Sequence, residues 1–397
     1  MAGKADVLVR FTDDFGALSV KCAVTFENPV NTFTFSLSSL LVVDSILSDV
    51  DSQWKTGREW NPRFQHKSNE YVVSGEASMR EITIAYHGKV SGWCNIVEKR
   101  RIALSAYSAW TISETSVPLD FLFKMEGMED YFVIHARYDE AEKLWVYGET
   151  NHDTGNIIAL KKGHYHTARA GSFSFYFLNE AERAYAESYA YYYDDIMKYY
   201  LSVFPQKNIG NMNVVSLGFK KGSGAYFREE LIVIEKINFS KRPNKMRDDV
   251  VSLLAHELGH NWFFRANTSS WEDWLNETGA EWAALLYILS IGNQKLFSKK
   301  IKQGKMAYKR TPVIKPPDLA RPAKGVHTRG VMLFYQIYRK HGAETILELL
   351  RLLAGLEEVT TDRFLSEVRA QMGDTIYHLI AQGLTAAEYT SRKWGSR

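Results

Sequence analysis

The sequence predicts an α+β chain of two domains, a β-sandwich or saddle-like domain followed by a mainly helical one. Three observations carry that expectation. Residues 1–155 hold many short runs of alternating apolar residues, separated by turn residues and without long helical periods between them. Beyond residue 271 the period is helical almost throughout. With 397 residues, 45% hydrophobic and 24% charged, the chain is long enough for more than one core and ordinary in composition for a folded protein.

In the first part, "LSVKCAVTF" places Leu18, Val20, Cys22, Val24 and Phe26 on one side at period two. "NTFTFSLSSL", "EITIAYHGKV", "DYFVIHARY" and "KLWVYGET" continue the pattern. The texture changes near residue 155, without a low-complexity linker or an internal repeat, so the domains are read as 1–155 and 156–397. "NIIALKKGHYHTARAGSFSFYFL" holds two strand-like runs, and a tyrosine-rich helix then ends before Pro205. Asn179 is its expected N-cap, with Glu182 three residues on as in a capping box. "MNVVSLGF" and "GAYFREELIVIEK" read as further strands. "RDDVVSLLAHELGHNWFFRA" reads as a helix with Asp248 and Asp249 in its first turn, where the dipole favours them.

Charge and composition narrow the function classes. The net charge of +3 forms no basic domain, which argues against a nucleic-acid partner. The densest basic run, "KKIKQGKMAYKR" at 299–310, reads as a solvated helix face. No run approaches the ~20 apolar residues of a membrane helix, and the start lacks a signal-peptide pattern, so a cytoplasmic protein with no membrane partner is the expectation. Cys22 and Cys94 lack metal-pair spacing and read as free thiols, with one disulfide between them as the alternative. Asn238, Asn267 and Asn276 head N-x-S/T triplets that are read as chance matches.

The chemistry concentrates in "LLAHELGHNWFF", residues 253–264. His256 and His260 are four apart, so both imidazoles leave one helix face and can reach a single zinc ion at ~2.0–2.1 Å each. Glu257 is offset around the helix towards a water on the metal, the general-base position of H-E-x-x-H metallopeptidases. A catalytic zinc needs a third protein ligand and an open fourth position. "WEDWLNETGAEW" offers Glu277, with sixteen residues between it and His260. Glu281 lies on the same face, placed to receive the free ring N–H of a zinc-bound histidine. The bland reading of Glu277 and Glu281 is an exposed i,i+4 carboxylate pair, which repels mildly; a cation between two helices accounts for them better.

"HELGHNW" followed by "WLNE" resembles the zinc aminopeptidases related to aminopeptidase N and the leukotriene hydrolases, which are gluzincin metallopeptidases. Their pattern is H-E-x-x-H-x18-E, so this chain is two residues shorter in the connecting loop. "NIIALKKG", the tyrosine-rich helix ending in "VFP", "MNVVSLG" and "GSGAYF" follow in the family's order, so the resemblance covers about 156 to 340. The family's "FPCFDEP" landmark is missing from the β-rich part. The resemblance implies a thermolysin-like catalytic domain, one Zn²⁺ held by His256, His260 and Glu277, and peptide substrates, with aminopeptidase-like cleavage of oligopeptides.

Two departures follow from the same comparison. The family's "GAMEN" strand matches "GAYFREELIVI", so Gly224, Ala225 and Tyr226 are expected along the substrate, and Phe227 stands where an amine-binding glutamate belongs. Glu229 or Glu230 recovers that role only in a shifted register, and a slip of one residue inverts which of them faces the substrate. Otherwise both are edge-strand charges. The family's oxyanion-binding tyrosine matches His327 in "HTRGVMLFYQIY", where an imidazole N–H can donate the same hydrogen bond. The departures leave two alternatives open: an endopeptidase or narrow-specificity peptidase without the amine-binding glutamate, and a zinc-binding scaffold without turnover. The presence of Glu257 argues against the scaffold, because structural zinc needs no base and usually has four protein ligands.

Overall fold

The computed structural model describes residues 3–60, 67–150, 155–219, 224–237, 243–268, 270–308, 325 and 327–385. It divides into two compact units, Met1–His166 and Thr167–Arg397.

The first unit is built from twelve described strands: β1 (Gly3–Phe11), β2 (Leu18–Ser38), β3 (Leu41–Ser48), β4 (Ser52–Trp60), β5 (Ser68–Gly88), β6 (Ile96–Glu98), β7 (Arg101–Leu104), β8 (Leu119–Glu126), β9 (Tyr131–Val133), β10 (Arg137–Asp139), β11 (Leu144–Thr150) and β12 (Ile157–Lys161). They form an eight-stranded sheet in the order β10-β11-β8-β1-β2-β5-β3, with β4 also paired to β5, and a four-stranded sheet in the order β6-β7-β12-β9. The two sheets share one core, in which Phe33, Phe35 and Phe123 of the larger sheet join Ile102, Leu104 and Ile157 of the smaller. The alternation of "LSVKCAVTF" is real: Leu18, Val20, Cys22, Val24 and Phe26 are all buried. Two runs that read as separate strands are one, since β2 continues through a register shift between Thr25 and Thr32 against β5. The run "NIIALKKG", which the sequence assigns to the second domain, pairs as β12 with β7 and β9 inside the first unit. Cys22 and Cys94 are both buried and unbridged.

The second unit opens with β13 (His166–Ala170) and β14 (Phe173–Phe177), followed by α1 (Arg183–Val203), β15 (Met212–Ser216), β16 (Ala225–Arg228) and β17 (Leu231–Ile234). The strands form one mixed sheet in the order β13-β14-β15-β17-β16. β14, β15 and β17 run parallel, and β16 is an antiparallel edge strand. Among the described residues seven helices complete the unit: α2 (Pro243–Gly259), α3 (Asp273–Ser290), α4 (Gln294–Tyr308), α5 (Arg329–His341), α6 (Ala343–Gly355), α7 (Thr361–Met372) and α8 (Asp374–Thr385). Asn179 caps a short 3₁₀ turn, Glu180–Glu182, that leads into α1, its side chain accepting from the Ala181 N–H; the N-cap residue of α1 itself is Glu182, which makes no side-chain capping bond. α2 begins four residues earlier than the sequence predicts, with Pro243 at its first position, which leaves Asp248 and Asp249 beyond its first turn. Among the described residues, no helix is long and apolar enough to cross a membrane.

Candidate metal centre

α2 is secured before any ligand is considered. The Tyr200 hydroxyl of α1 donates to the Ala255 carbonyl at 2.7 Å, inside the core. After Gly259 the chain tightens into i→i−3 turns: the His260 N–H donates to Glu257, Asn261 to Leu258 and Trp262 to Gly259. Lys207 Nζ donates to the Asn261 carbonyl at 2.6 Å, and the Trp262 indole to the Pro205 carbonyl at 2.9 Å. The sequence predicts a helix running through His260; the structure places His260 in the turn just past its end. The rings still meet, with His256 and His260 centroids 4.9 Å apart and nearly perpendicular.

Two glycines let α3 come close enough to add the third donor. A Cβ on Gly259 would stand 3.0 Å from Ala280 Cα, and a Cβ on Gly279 would stand 2.5 Å from the Phe263 ring. With hydrogen at both positions, the turn after α2 and the start of α3 interlock. One ligand atom from each of His256, His260 and Glu277 then lies within 4.8 Å of the others. His256 Nε2 and Glu277 Oε2 are 3.5 Å apart, about the edge of a tetrahedron with metal bonds of ~2.0–2.1 Å. The other ring nitrogens are engaged elsewhere: His256 Nδ1 meets Glu281 Oε2 at 3.1 Å, and His260 Nδ1 meets the Phe263 carbonyl at 2.8 Å. Both acceptors need a proton on Nδ1, which leaves each Nε2 as the lone-pair donor. Two imidazoles, one carboxylate and two orienting acceptors are a donor set that fits zinc.

The electrostatics reflect burial and crowding of opposite charges. Burial raises the Glu257 carboxyl to a pKa of about 7, with the neighbouring His256 opposing the shift. Burial lowers His260 to about 4. In the metal-free chain burial would also lower His256, but hydrogen bonds with Glu277 and Glu281 outweigh it and raise the ring to about 10. Burial would raise Glu281, yet the Lys300 ammonium and the His256 hydrogen bond hold it to about 2. Burial acts in the same direction on Glu277, and the charge of His327 and the bond from His256 hold it well below the usual carboxylate range.

The structure brings His256, Glu257, His260, Glu277 and Glu281 together, with His260 reaching the group from the turn after α2. His327 joins them from the turn before α5, with Nδ1 2.6 Å from Glu277 Oε2. Glu229 and Glu230 lie elsewhere: β16 ends at Arg228, and the two form the turn of the β16–β17 hairpin instead of standing on the edge strand. Glu230 sits at φ 58° and accepts from the Gly210 N–H at 3.0 Å. Phe227 is buried, and its ring lies 27° from parallel to His260 at 6.3 Å. Gly224, Ala225 and Tyr226 lead into and form β16; the Gly224 carbonyl accepts from Glu235, and Tyr226 pairs with Val233. Asn276 is buried and clasps Ala266 through both its amide nitrogen and oxygen, so this N-x-T triplet has a structural use. Sequence reasoning missed the Phe263 carbonyl and Lys300. The first lies three residues after His260 but is a backbone group, and the second sits in a run that reads as solvent-facing.

No protein-family model matches the sequence, and no curated protein matches it. Solved structures do. Leukotriene A4 hydrolase from Saccharomyces cerevisiae is similar at a TM-score of 0.70 and 12% identity, over 98% of this chain and 68% of that one. The M1 zinc metallopeptidase from Deinococcus radiodurans, in a mutant form bound to a Tyr-Ser-Ala substrate, is similar at 0.61 and 14% identity, over 98% and 94% of the two chains. The same enzyme without that mutation gives 0.58 and 15% identity, over 98% of this chain and 94% of its own. With the two-unit α+β architecture and the convergent helices described above, this chain has the fold of the leukotriene A4 hydrolases and M1 zinc metallopeptidases.

Proposed function

We propose that the chain is a zinc-dependent metallopeptidase that hydrolyses peptide bonds, with one Zn²⁺ held by His256, His260 and Glu277. One observation carries the reading: three donors within 4.8 Å of one another, with a buried carboxylate, Glu257, following the first of them. A zinc ion bound there supplies Lewis acidity to a carbonyl and lowers the pKa of a bound water. Glu257 takes the water's proton and passes it to the leaving amine; in the metal-free chain burial raises this carboxyl above the usual carboxylate range. His327 commits Nδ1 to the Glu277 carboxylate, so its donor to an oxyanion is Nε2–H, present when the ring is protonated. β16 pairs on one side with β17, and its outer edge is where an extended peptide adds by backbone hydrogen bonds. The buried base weighs against a scaffold that holds metal without turnover.

The resemblance implies aminopeptidase-like cleavage, which needs an anion to hold the substrate's α-ammonium. Three features favour a peptidase that does not select the free amine, an endopeptidase or a narrow-specificity enzyme. Phe227 occupies the strand position facing His260, Glu230 is committed to Gly210, and Glu229 lies in the hairpin turn. A peptide library digested with and without a zinc chelator tests both levels. Chelator-sensitive cleavage is expected, and N-acetylated peptides should be cut about as fast as free ones. Cleavage that survives chelation would sink the zinc reading, whereas cleavage confined to free N-termini would restore the aminopeptidase reading.

A further inference from the structure

We infer that Lys300 is a positioning residue for the metal centre, acting through Glu281 on His256; the inference rests on the zinc reading above. Lys300 belongs to the basic run that reads as a solvated face, but its side chain is only 23% exposed and turns inward from α4. Its Nζ lies 2.9 Å from Glu281 Oε1, while Glu281 Oε2 lies 3.1 Å from His256 Nδ1. The two carboxylate oxygens are thus shared between one cation and one imidazole N–H, in a chain from α4 through α3 to α2.

The geometry gives the lysine a definite task. A glutamate side chain has three rotatable bonds, and a single hydrogen bond to His256 leaves the carboxylate free to swing about that contact. A second contact on the opposite oxygen removes the freedom, and it compensates a charge that is 16% exposed. With the carboxylate fixed opposite Nδ1, the His256 ring is held with Nε2 facing the Glu277 carboxylate. His260 needs no such support, because its acceptor is the Phe263 carbonyl, held by the backbone. The two histidines are oriented by different means, and the side-chain route is the one that Lys300 completes.

The test is zinc affinity, read by competition with a chromophoric chelator at fixed pH, for wild type, Lys300→Met, Lys300→Arg, Glu281→Gln and the Lys300→Met/Glu281→Gln double variant. Each single loss is expected to weaken zinc about 10–100-fold, and Lys300→Arg should recover most of it. The double variant should be no weaker than Glu281→Gln alone, because the lysine has nothing left to hold. Metal-free thermal unfolding is run alongside to identify any variant that fails to fold; Lys300→Arg then carries the comparison. Zinc binding by Lys300→Met within twofold of wild type would overturn the inference, as would losses that add in the double variant. Failure of the wild type itself to bind zinc would instead overturn the metallopeptidase reading on which this one stands.

Discussion

Gly279→Ala isolates the contact that lets the donors converge. An added Cβ would stand 2.5 Å from Phe263 Cδ1 and Cγ and 2.9 Å from its Cβ. Ordinary carbon contacts lie at about 3.5–4.0 Å, so the Phe263 ring must move by about 1 Å. It has little room: Phe263 is 2% exposed and packs edge-on against Phe204 at 5.4 Å. Overpacking of this kind costs about 1–3 kcal/mol, while replacing a mid-helix glycine by alanine returns up to about 1 kcal/mol. The metal-free protein should therefore lose about 0–3 kcal/mol, seen as a fall in its unfolding midpoint. The larger effect falls on zinc, because the Phe263 carbonyl holds His260 Nδ1 at 2.8 Å and moves with the residue. Affinity should drop about 10–100-fold, measured by chelator competition. Adding Phe263→Ala removes the ring while keeping the carbonyl. Stability should then fall by a further ~3–5 kcal/mol while zinc affinity recovers in part, because the ring contacts are gone and only the Cβ contact at 2.9 Å remains; the two readouts move in opposite directions. A Gly279→Ala protein that binds zinc within twofold of wild type would refute the claim that this helix crossing sets His260.

Glu257→Gln should retain zinc, since the residue is not a ligand, and lose hydrolysis by at least ~10²-fold; near wild-type turnover in that variant would remove Glu257 as the base. His327→Phe should lower kcat about 10²-fold with a smaller rise in KM, whereas an unchanged kcat with weakened zinc would assign His327 to holding Glu277 instead. Burial pushes the Cys22 thiol up to about 12 from its ordinary value near 9. Above pH 9 the unfolded chain releases this proton and the folded chain keeps it, so stability should fall as pH rises from 9 towards 12. Unfolding midpoints across that range should show a shallower alkaline decline in Cys22→Ala, and parallel declines would count against the buried thiol as its source.

Much of the site was legible because its chemistry follows a helical period. Four residues return to one helix face, so His256 with His260 and Glu277 with Glu281 each announce a shared surface without any knowledge of the fold. Period two was equally readable in "LSVKCAVTF", because one sheet face is buried and the other wet. What failed was local in a different way. The hairpin turn at Glu229–Glu230 replaced an expected continuous strand, since apolar runs on either side mask a two-residue turn that lacks glycine. The β12 run was assigned by its position in the chain, but strand partners are chosen by hydrogen-bonding edges far away in sequence, here Arg101–Leu104 and Tyr131–Val133.

The sequence alone thus determined which imidazole and carboxylate side chains recur four residues apart, because that spacing is a local property of the chain. Only the tertiary structure decided how the pairs are held. Gly259 and Gly279 set the distance between the two helical segments, the Phe263 carbonyl and the Lys300–Glu281 pair aim the two imidazoles, and Phe227 of β16 packs beside the His260 ring. Those are contacts between groups remote in sequence or made by backbone atoms that carry no residue identity, and no spacing rule along one chain encodes them.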